Sequence, residues 1–536
     1  MSRFSRLLAV FAAAAGLVSC EEKEIYYPPV QPEGYQQLLD IYEAGEGFVS
    51  FERMDVTTLL RFEESTLSLN NSTFEVHDCT RTGHPPICPD DTQSYWLIGG
   101  EATEIGFHPD LPDREAQPVY LYVAQETLHM YISNRSFIHF EKYVDTGYRK
   151  PKEFTMPVVR IDFNGTSVQK DTYSDGTVRI EDPDRFYSET ATLESAMQIK
   201  GRGNSTWDMP KKPYRIKLEK KQEVLGMPSS KNWALLANYA DKSLVRNVTA
   251  MEISRILGFP WTPRSRAVEL YLNGKYQGVY SLFEHKEVGK NKVNIEDDEY
   301  YLEIEQSIDE PFYFYTGRGV PLQFKNPEEP TAGQIDYVKQ YFKDFESALF
   351  GANFKDPEKG YAKYIDVDSF VDNFIIEELS KDIDGNVRKS SFLTLQKGGK
   401  LTFYHQWDFD LAFGNADYFP DGNNGPTGWW VKDYGTNSTK NTGWYWKLFQ
   451  DPAFVKKVQK RWDEVYPALK LVPNYIDLTV TEMGDAPARN FKTWDILNKY
   501  VWPNVEVTGS YDKEVGYLKT FYTRRLEWIN SNVKQL

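Results

Sequence analysis

One stretch restricts this chain more than any other. From Asp366 to Asn415 an apolar-faced helix, an acidic turn, a β-hairpin and a second acidic loop follow one another. Val367, Phe370, Val371, Phe374, Ile375 and Leu379 recur at helical spacing, and Asp366 and Asp368 offer N-cap oxygens at the start. After Lys381, the run Asp382-Ile383-Asp384-Gly385-Asn386 favours a turn. Ser391–Gln396 and Lys400–His405 then read as strands joined by Lys397-Gly398-Gly399, and Trp407-Asp408-Phe409-Asp410 follows. A single aspartate in such turns ordinarily caps a helix or bonds its own backbone. Here four aspartates and Asn386 stand at the ends of one hydrophobic unit, where like charges repel unless a cation or proton is shared. Two carboxylate loops held by one hairpin suit phosphoryl transfer, one acid near the attacking hydroxyl and another holding a metal on the phosphates.

The run Trp407-Asp408-Phe409-Asp410-Leu411-Ala412-Phe413-Gly414-Asn415 resembles the signature of the spore-coat protein H (CotH) kinase-like family. Two further motifs match in order, Lys200-Gly201-Arg202-Gly203-Asn204-Ser205-Thr206-Trp207 with Lys211–Leu218, and Leu235–Asn247. Gly278-Val279-Tyr280 adds a fourth, so the resemblance spans most of residues 155–530. It implies an α+β chain with an atypical protein-kinase-like, two-lobed domain that transfers the γ-phosphoryl of ATP with Mg²⁺. Asp384 then matches the catalytic acid, with Asp382 as the alternative. Asp408 matches the metal ligand, and Asp410 and Asn386 the second metal position.

Other roles follow from strand and loop chemistry within that frame. Gly201 and Gly203 would let backbone amides approach a phosphate, with Arg202, Asn204 and Ser205 adding donors. Lys217, on a strand with Tyr214, Ile216 and Leu218 on its other face, would reach the α- and β-phosphates. Glu252, on a helix read at Lys242–Leu257, would hold it. Backbone groups near Phe283 and Glu284, at the end of a hairpin around Asn273-Gly274, would bond adenine. Solvated surface charges, a plain turn and an unliganded edge strand are the alternatives for these three features.

At the start of the chain, Arg3 and Arg6 precede an apolar run, Leu7–Val18, which is too short for a bilayer span of about 20 residues. Leu17-Val18-Ser19-Cys20 resembles a lipobox, implying cleavage after residue 19, acylation of Cys20 and anchoring in a bacterial cell envelope, at the outer membrane or cell surface. Residues 20–34 read as a tether, 35–150 as a small β domain and 155–536 as the kinase-like domain. The net charge of −16 disfavours nucleic acid as a partner. Cys79 and Cys88 read as a disulfide pair in an oxidising compartment, or as free thiols.

Residues 417–445 are rich in Gly, Asn and Trp, and with the adjoining Trp446 they offer four tryptophans, Trp429, Trp430, Trp444 and Trp446, for a sugar- or peptide-stacking surface. Two functions therefore stand side by side. One is an ATP-dependent kinase acting on a protein or other hydroxyl acceptor; the other is a non-catalytic surface module binding glycan or protein.

Overall fold

The computed structural model describes the backbone of strands between Glu46 and Phe140, and residues 155–536 apart from 184–186, 188–190, 297, 397, 434–442 and 471. The side chains of 467, 474, 478, 481 and 482 are likewise outside the described set. So are Cys20, the leader, the tether and the Cys79/Cys88 pair. Contacts divide the chain into two compact units. One holds residues 1–154 with 255–258 and 463–482, and the other holds the remainder.

In the first unit, strands β1–β8 form an antiparallel sheet in sequence order. They run Glu46–Arg53, Val56–Glu63, Thr66–Leu69, Ser72–Asp78, Tyr95–Gly99, Val119–Ala124, Thr127–Tyr131 and Phe137–Phe140.

The second unit begins with seven strands that close on themselves. These are β9 (Val158–Phe163), β10 (Ser174–Glu181), β11 (Thr192–Gly201), β12 (Tyr214–Val224), β13 (Met227–Leu236), β14 (Ser265–Leu272) and β15 (Lys275–Glu284). Their order around the barrel is β10-β11-β12-β13-β15-β14-β9, antiparallel except for the β14–β9 pair. Alternation explains the closure. Val159 and Ile161, Met197 and Ile199, Ile216 and Leu218, and Val268 and Leu270 point into one core. Asn273 and Gly274, both at positive φ, make the expected tight hairpin turn between β14 and β15.

Five further strands form an antiparallel sheet in the order β17-β18-β16-β19-β20. They are β16 (Tyr300–Ile304), β17 (Tyr313–Tyr315), β18 (Pro321–Asn326), β19 (Ser391–Leu395) and β20 (Leu401–His405). The longer helices of the chain include α1 (Arg246–Ile256), α2 (Ala332–Phe350), α3 (Val367–Ser380), α4 (Pro452–Leu469), α5 (Ala486–Thr493) and α6 (Tyr511–Asn532), and with the strands they give an α+β architecture. The predicted helix at Lys242–Leu257 starts later, at Arg246, because Asp241 to Val245 form a tight turn around the Asp241 carboxylate. Its oxygens accept from Ser243 N at 3.1 Å and Arg246 N at 2.8 Å. Among the described residues no helix is long and apolar enough to cross a membrane.

Helix α3 departs from the one-sided stripe read in its sequence, since every residue from Ser369 to Ser380 is buried. Its polar residues are absorbed by specific partners. Asp372 pairs with Arg461 at 2.7 Å, Asn373 donates to the Tyr445 hydroxyl at 3.0 Å, and Glu378 pairs with Arg525 at 2.8 Å. Asp366 caps the helix as expected, accepting from Asp368 N and Ser369 N at 3.0 and 3.2 Å. This buried helix is the post from which both acidic loops hang.

Candidate active site

Helix α3 ends with Lys381 in the left-handed region (φ 48°), and its ammonium donates to the carbonyls of Asn423, Gly425 and Thr427 at 2.8, 2.8 and 3.1 Å. The first acidic loop then turns tightly over Glu377. Asn386 N donates to Glu377 Oε2 at 3.2 Å, and Asn386, Val387 and Ser390 all take positive φ. Such conformations cost energy in non-glycine residues and concentrate at functional sites. At Gly385 an added Cβ would lie 1.7 Å from Glu377 Oε2. Gly385→Ala is therefore expected to destabilise the fold by about 1–3 kcal/mol through overpacking, measured as a lower urea midpoint at unchanged slope.

The second loop is tied back to the same helix and to the Leu235–Asn247 motif. Phe413 N donates to Ser380 O at 2.7 Å, Phe409 N to Asn247 Oδ1 at 2.7 Å, and Arg246 Nε to Ala412 O at 3.1 Å. Asp408 itself stands at φ 72°.

Asp384, Asp408 and Asp410 line one cleft of about 640 Å³. Of the two acids in the first loop, Asp384 lies on this wall, whereas Asp382 is buried and its carboxylate accepts the Asp384 amide at 3.3 Å. Arg388 and Lys389 hold Asp384 Oδ1 at 3.0 and 3.3 Å. Burial pushes the Asp408 carboxyl up against the pull of Arg202 and Lys286. Burial, and then the charge of Asp408, pushes Asp410 well up. The carboxylates thus crowd one another, a stress that a shared proton or a cation relieves. Among the described residues no group of three or more His, Cys, Asp or Glu is placed to hold a metal ion unaided.

Cations line the same cleft, including Lys200, Arg202, Arg215, Lys286, Lys325 and Lys389. Arg202 lies over the Trp407 ring at 5.5 Å. Lys286 is paired with Glu303, and Lys325 reaches Glu303 at 3.4 Å. Burial alone would raise the Glu303 carboxyl, but these two lysines and Gln323 bring it down to about 2. Two buried nitrogens on lining residues, Arg215 Nε and His285 Nδ1, have no hydrogen-bond partner. Burial and four neighbouring cations hold the His285 imidazole neutral. Arg215 Nε, an unspent donor on a cationic wall, is what a polyanion would use.

Several expected residues are placed differently. Lys217 is exposed and does not line the cleft, because the alternation that buries Tyr214, Ile216 and Leu218 in the barrel turns it out to solvent. Arg215, two residues earlier on β12, lines it instead. Glu252 is buried on α1 and is not part of the lining. Glu284 accepts from Arg264 N at 2.9 Å, and its own amide donates to Arg264 O at 3.0 Å. Phe283 and Glu284 lie on a strand paired on both sides, with β13 and β14, so their backbone is committed to the barrel rather than offered to a base.

The glycine loop lines the cleft from Gly201 to Ser205, but its first two amides are spent, Gly201 N on Gln169 O and Arg202 N on Pro213 O. Gly201 is required by packing, since a Cβ there would meet the Trp207 ring at 2.3 Å. The Asn386 backbone N–H is directed to Glu377, and the residue is not among those lining the cleft.

The tryptophan surface does not form. Trp430 and Trp444 are buried, and Trp429 packs on Trp528 with ring centroids 4.9 Å apart; Trp446 alone of the four is exposed.

Lys286, Glu303, Lys325 and Lys389 were not singled out from sequence. The available signal was a charged residue inside or just beyond an otherwise apolar strand, as in Tyr301-Leu302-Glu303-Ile304.

A family model described as CotH kinase protein matches residues 199–529, from the end of β11 almost to the end of α6. No curated protein matches the chain.

Proposed function

Because the chain belongs to the CotH kinase protein family, we propose that it is an atypical two-lobed kinase that transfers the γ-phosphoryl group of ATP to a hydroxyl acceptor. The observation that carries this reading is the single cleft in which Asp384, Asp408 and Asp410 face Arg202, Lys286 and Lys325. Arg202, Arg215 and Lys286 would take the phosphates, replacing the role first read into Lys217. Asp408, with Asp410, would hold Mg²⁺, which commonly takes one or two carboxylates and completes its shell with phosphate oxygens and water. The mutual repulsion of these half-buried acids fits that cation, and the ion would neutralise charge on the phosphates. Asp384, oriented by Arg388 and Lys389, is placed to receive the proton of the acceptor hydroxyl. The Cys20 motif and the leader support an envelope location, with the acylated chain reaching an acceptor there.

Incubation of the full chain with γ-labelled ATP and Mg²⁺ tests the reading. ADP formation and transfer of label to a hydroxyl are expected, and both are lost in Asp384→Asn. Absence of ADP formation at every pH and divalent-ion condition would contradict the reading.

A pH effect follows from Glu305, which lines the cleft beside Glu303. Burial, and then the charge of Glu303, raises its carboxyl to about 7. As the pH rises through that value, Glu305 adds a negative charge facing the phosphates. ATP affinity should fall several-fold from about pH 6 to about pH 8, and Glu305→Gln should flatten the profile. The same raised value means that its contribution to folding stability is present below its unfolded range, near 4.5, and is lost as pH rises through about 7.

A further inference from the structure

Two aromatic rings stand exposed beside the proposed base. Tyr418 and Trp502 stack with centroids 5.6 Å apart and planes 12° from parallel, at 36% and 49% exposure. Trp502 lines the cleft with Asp384, Lys389 and Ser390. Tyr418 is close to the same acids, for burial and then the charges of Asp384 and Asp382 push its phenol well up.

The exposure is built in rather than left over from a slack loop. Lys242 Nζ donates to Lys499 O at 2.7 Å, and Tyr500 donates to Asp417 Oδ2 at 2.7 Å. Asn504 Nδ2 donates to Ala240 O and Asn415 Oδ1 at 2.7 and 2.9 Å. The segment carrying Trp502 is thus fastened on both sides of the ring. A fastened, half-exposed indole at the mouth of a polar cleft marks a place where a ligand face is received.

We propose that the Tyr418–Trp502 pair is the acceptor platform and that the acceptor is a carbohydrate, a reading that rests on the phosphoryl transfer proposed above. An acceptor here must bring a flat apolar face and a hydroxyl in one compact unit. A serine or threonine side chain has the hydroxyl without the face. A pyranose has both, together with further hydroxyls for the polar groups around Asp384, Lys389 and Ser390, whereas a tyrosine ring would use only one of them. In the reaction the sugar O–H gives its proton to Asp384, and its oxygen bonds to the γ-phosphorus. The bond from that phosphorus to the bridging oxygen of ATP breaks, leaving a sugar phosphate and ADP.

The test uses the full chain, with cellotetraose, chitotetraose and xylotetraose as probes. Binding is read by calorimetry without nucleotide, and phosphoryl transfer with Mg·ATP is read separately. At least one probe is expected to bind and to be phosphorylated. Trp502→Ala should weaken that binding at least about tenfold and raise KM far more than it lowers kcat, with Trp502→Phe restoring most of the loss. Oligosaccharide binding that depends on Trp502 in a chain that turns over no ATP would uphold the platform and overturn the kinase reading instead. The proposal is overturned if no oligosaccharide binds, if Trp502→Ala binds as well as the parent, or if label passes only to protein hydroxyls.

Discussion

Asp408→Asn should reduce Mg²⁺-dependent ATP turnover by on the order of 10³-fold while leaving the fold intact or slightly stabilised. The two halves of that expectation come from the same geometry. Asp408 is half-buried at φ 72°, a conformation that asparagine tolerates better than most residues, so the substitution adds no backbone strain. Burial already disfavours its charge, and Asp410 nearby is pushed up by it, so removing the charge relieves repulsion in the resting protein. What is lost is the anion placed to hold a cation against the phosphates. Thermal unfolding together with ADP release measures both halves. A fall in turnover accompanied by a matching fall in stability would instead make Asp408 a structural residue.

Arg246→Met should cost about 3–5 kcal/mol of stability. Arg246 and Asp241 are both fully buried and pair at 2.6 Å. The arginine also donates to Ala412 O at 3.1 Å, tying α1 to the second acidic loop. Methionine fills much of the space but leaves the Asp241 carboxylate without its counterion and the Ala412 carbonyl without its donor. Urea denaturation reads the cost. Adding Asp241→Leu to Arg246→Met should recover a large part of it, because the stranded charge goes with its partner.

The elements carried by strong local signals were legible before the structure. The cap at Asp366, the hairpin Ser391–His405 and the Asn273-Gly274 turn each depend on residues adjacent in sequence. Asp384 and Asp408 also emerged early, because each sits in a short loop next to a strongly patterned element. Long-range chemistry was not readable in the same way. The burial of α3 on all sides depends on Arg461, Tyr445 and Arg525, all more than seventy residues away, and nothing in its own pattern reveals them. Lys217 illustrates a related failure. Strand alternation correctly put Lys217 opposite Ile216, but it could not tell that the cleft meets β12 at Arg215 and leaves Lys217 in solvent. The tryptophans of the 417–446 segment read as a surface because their loop is polar, yet Glu378 draws that loop inward by accepting the amides of Trp430 and Val431. The exposed pair, Tyr418 and Trp502, is joined across 84 positions and has no local signature.

Calorimetric titration of ATP into the full chain, with and without Mg²⁺, tests the central claim most directly. A cleft in which Asp408 and Asp410 hold the cation while Arg202 and Lys286 hold the phosphates predicts saturable binding that strengthens with Mg²⁺ and disappears in Asp408→Asn. Absence of binding at millimolar nucleotide, or binding indifferent to both the metal and Asp408, would contradict it.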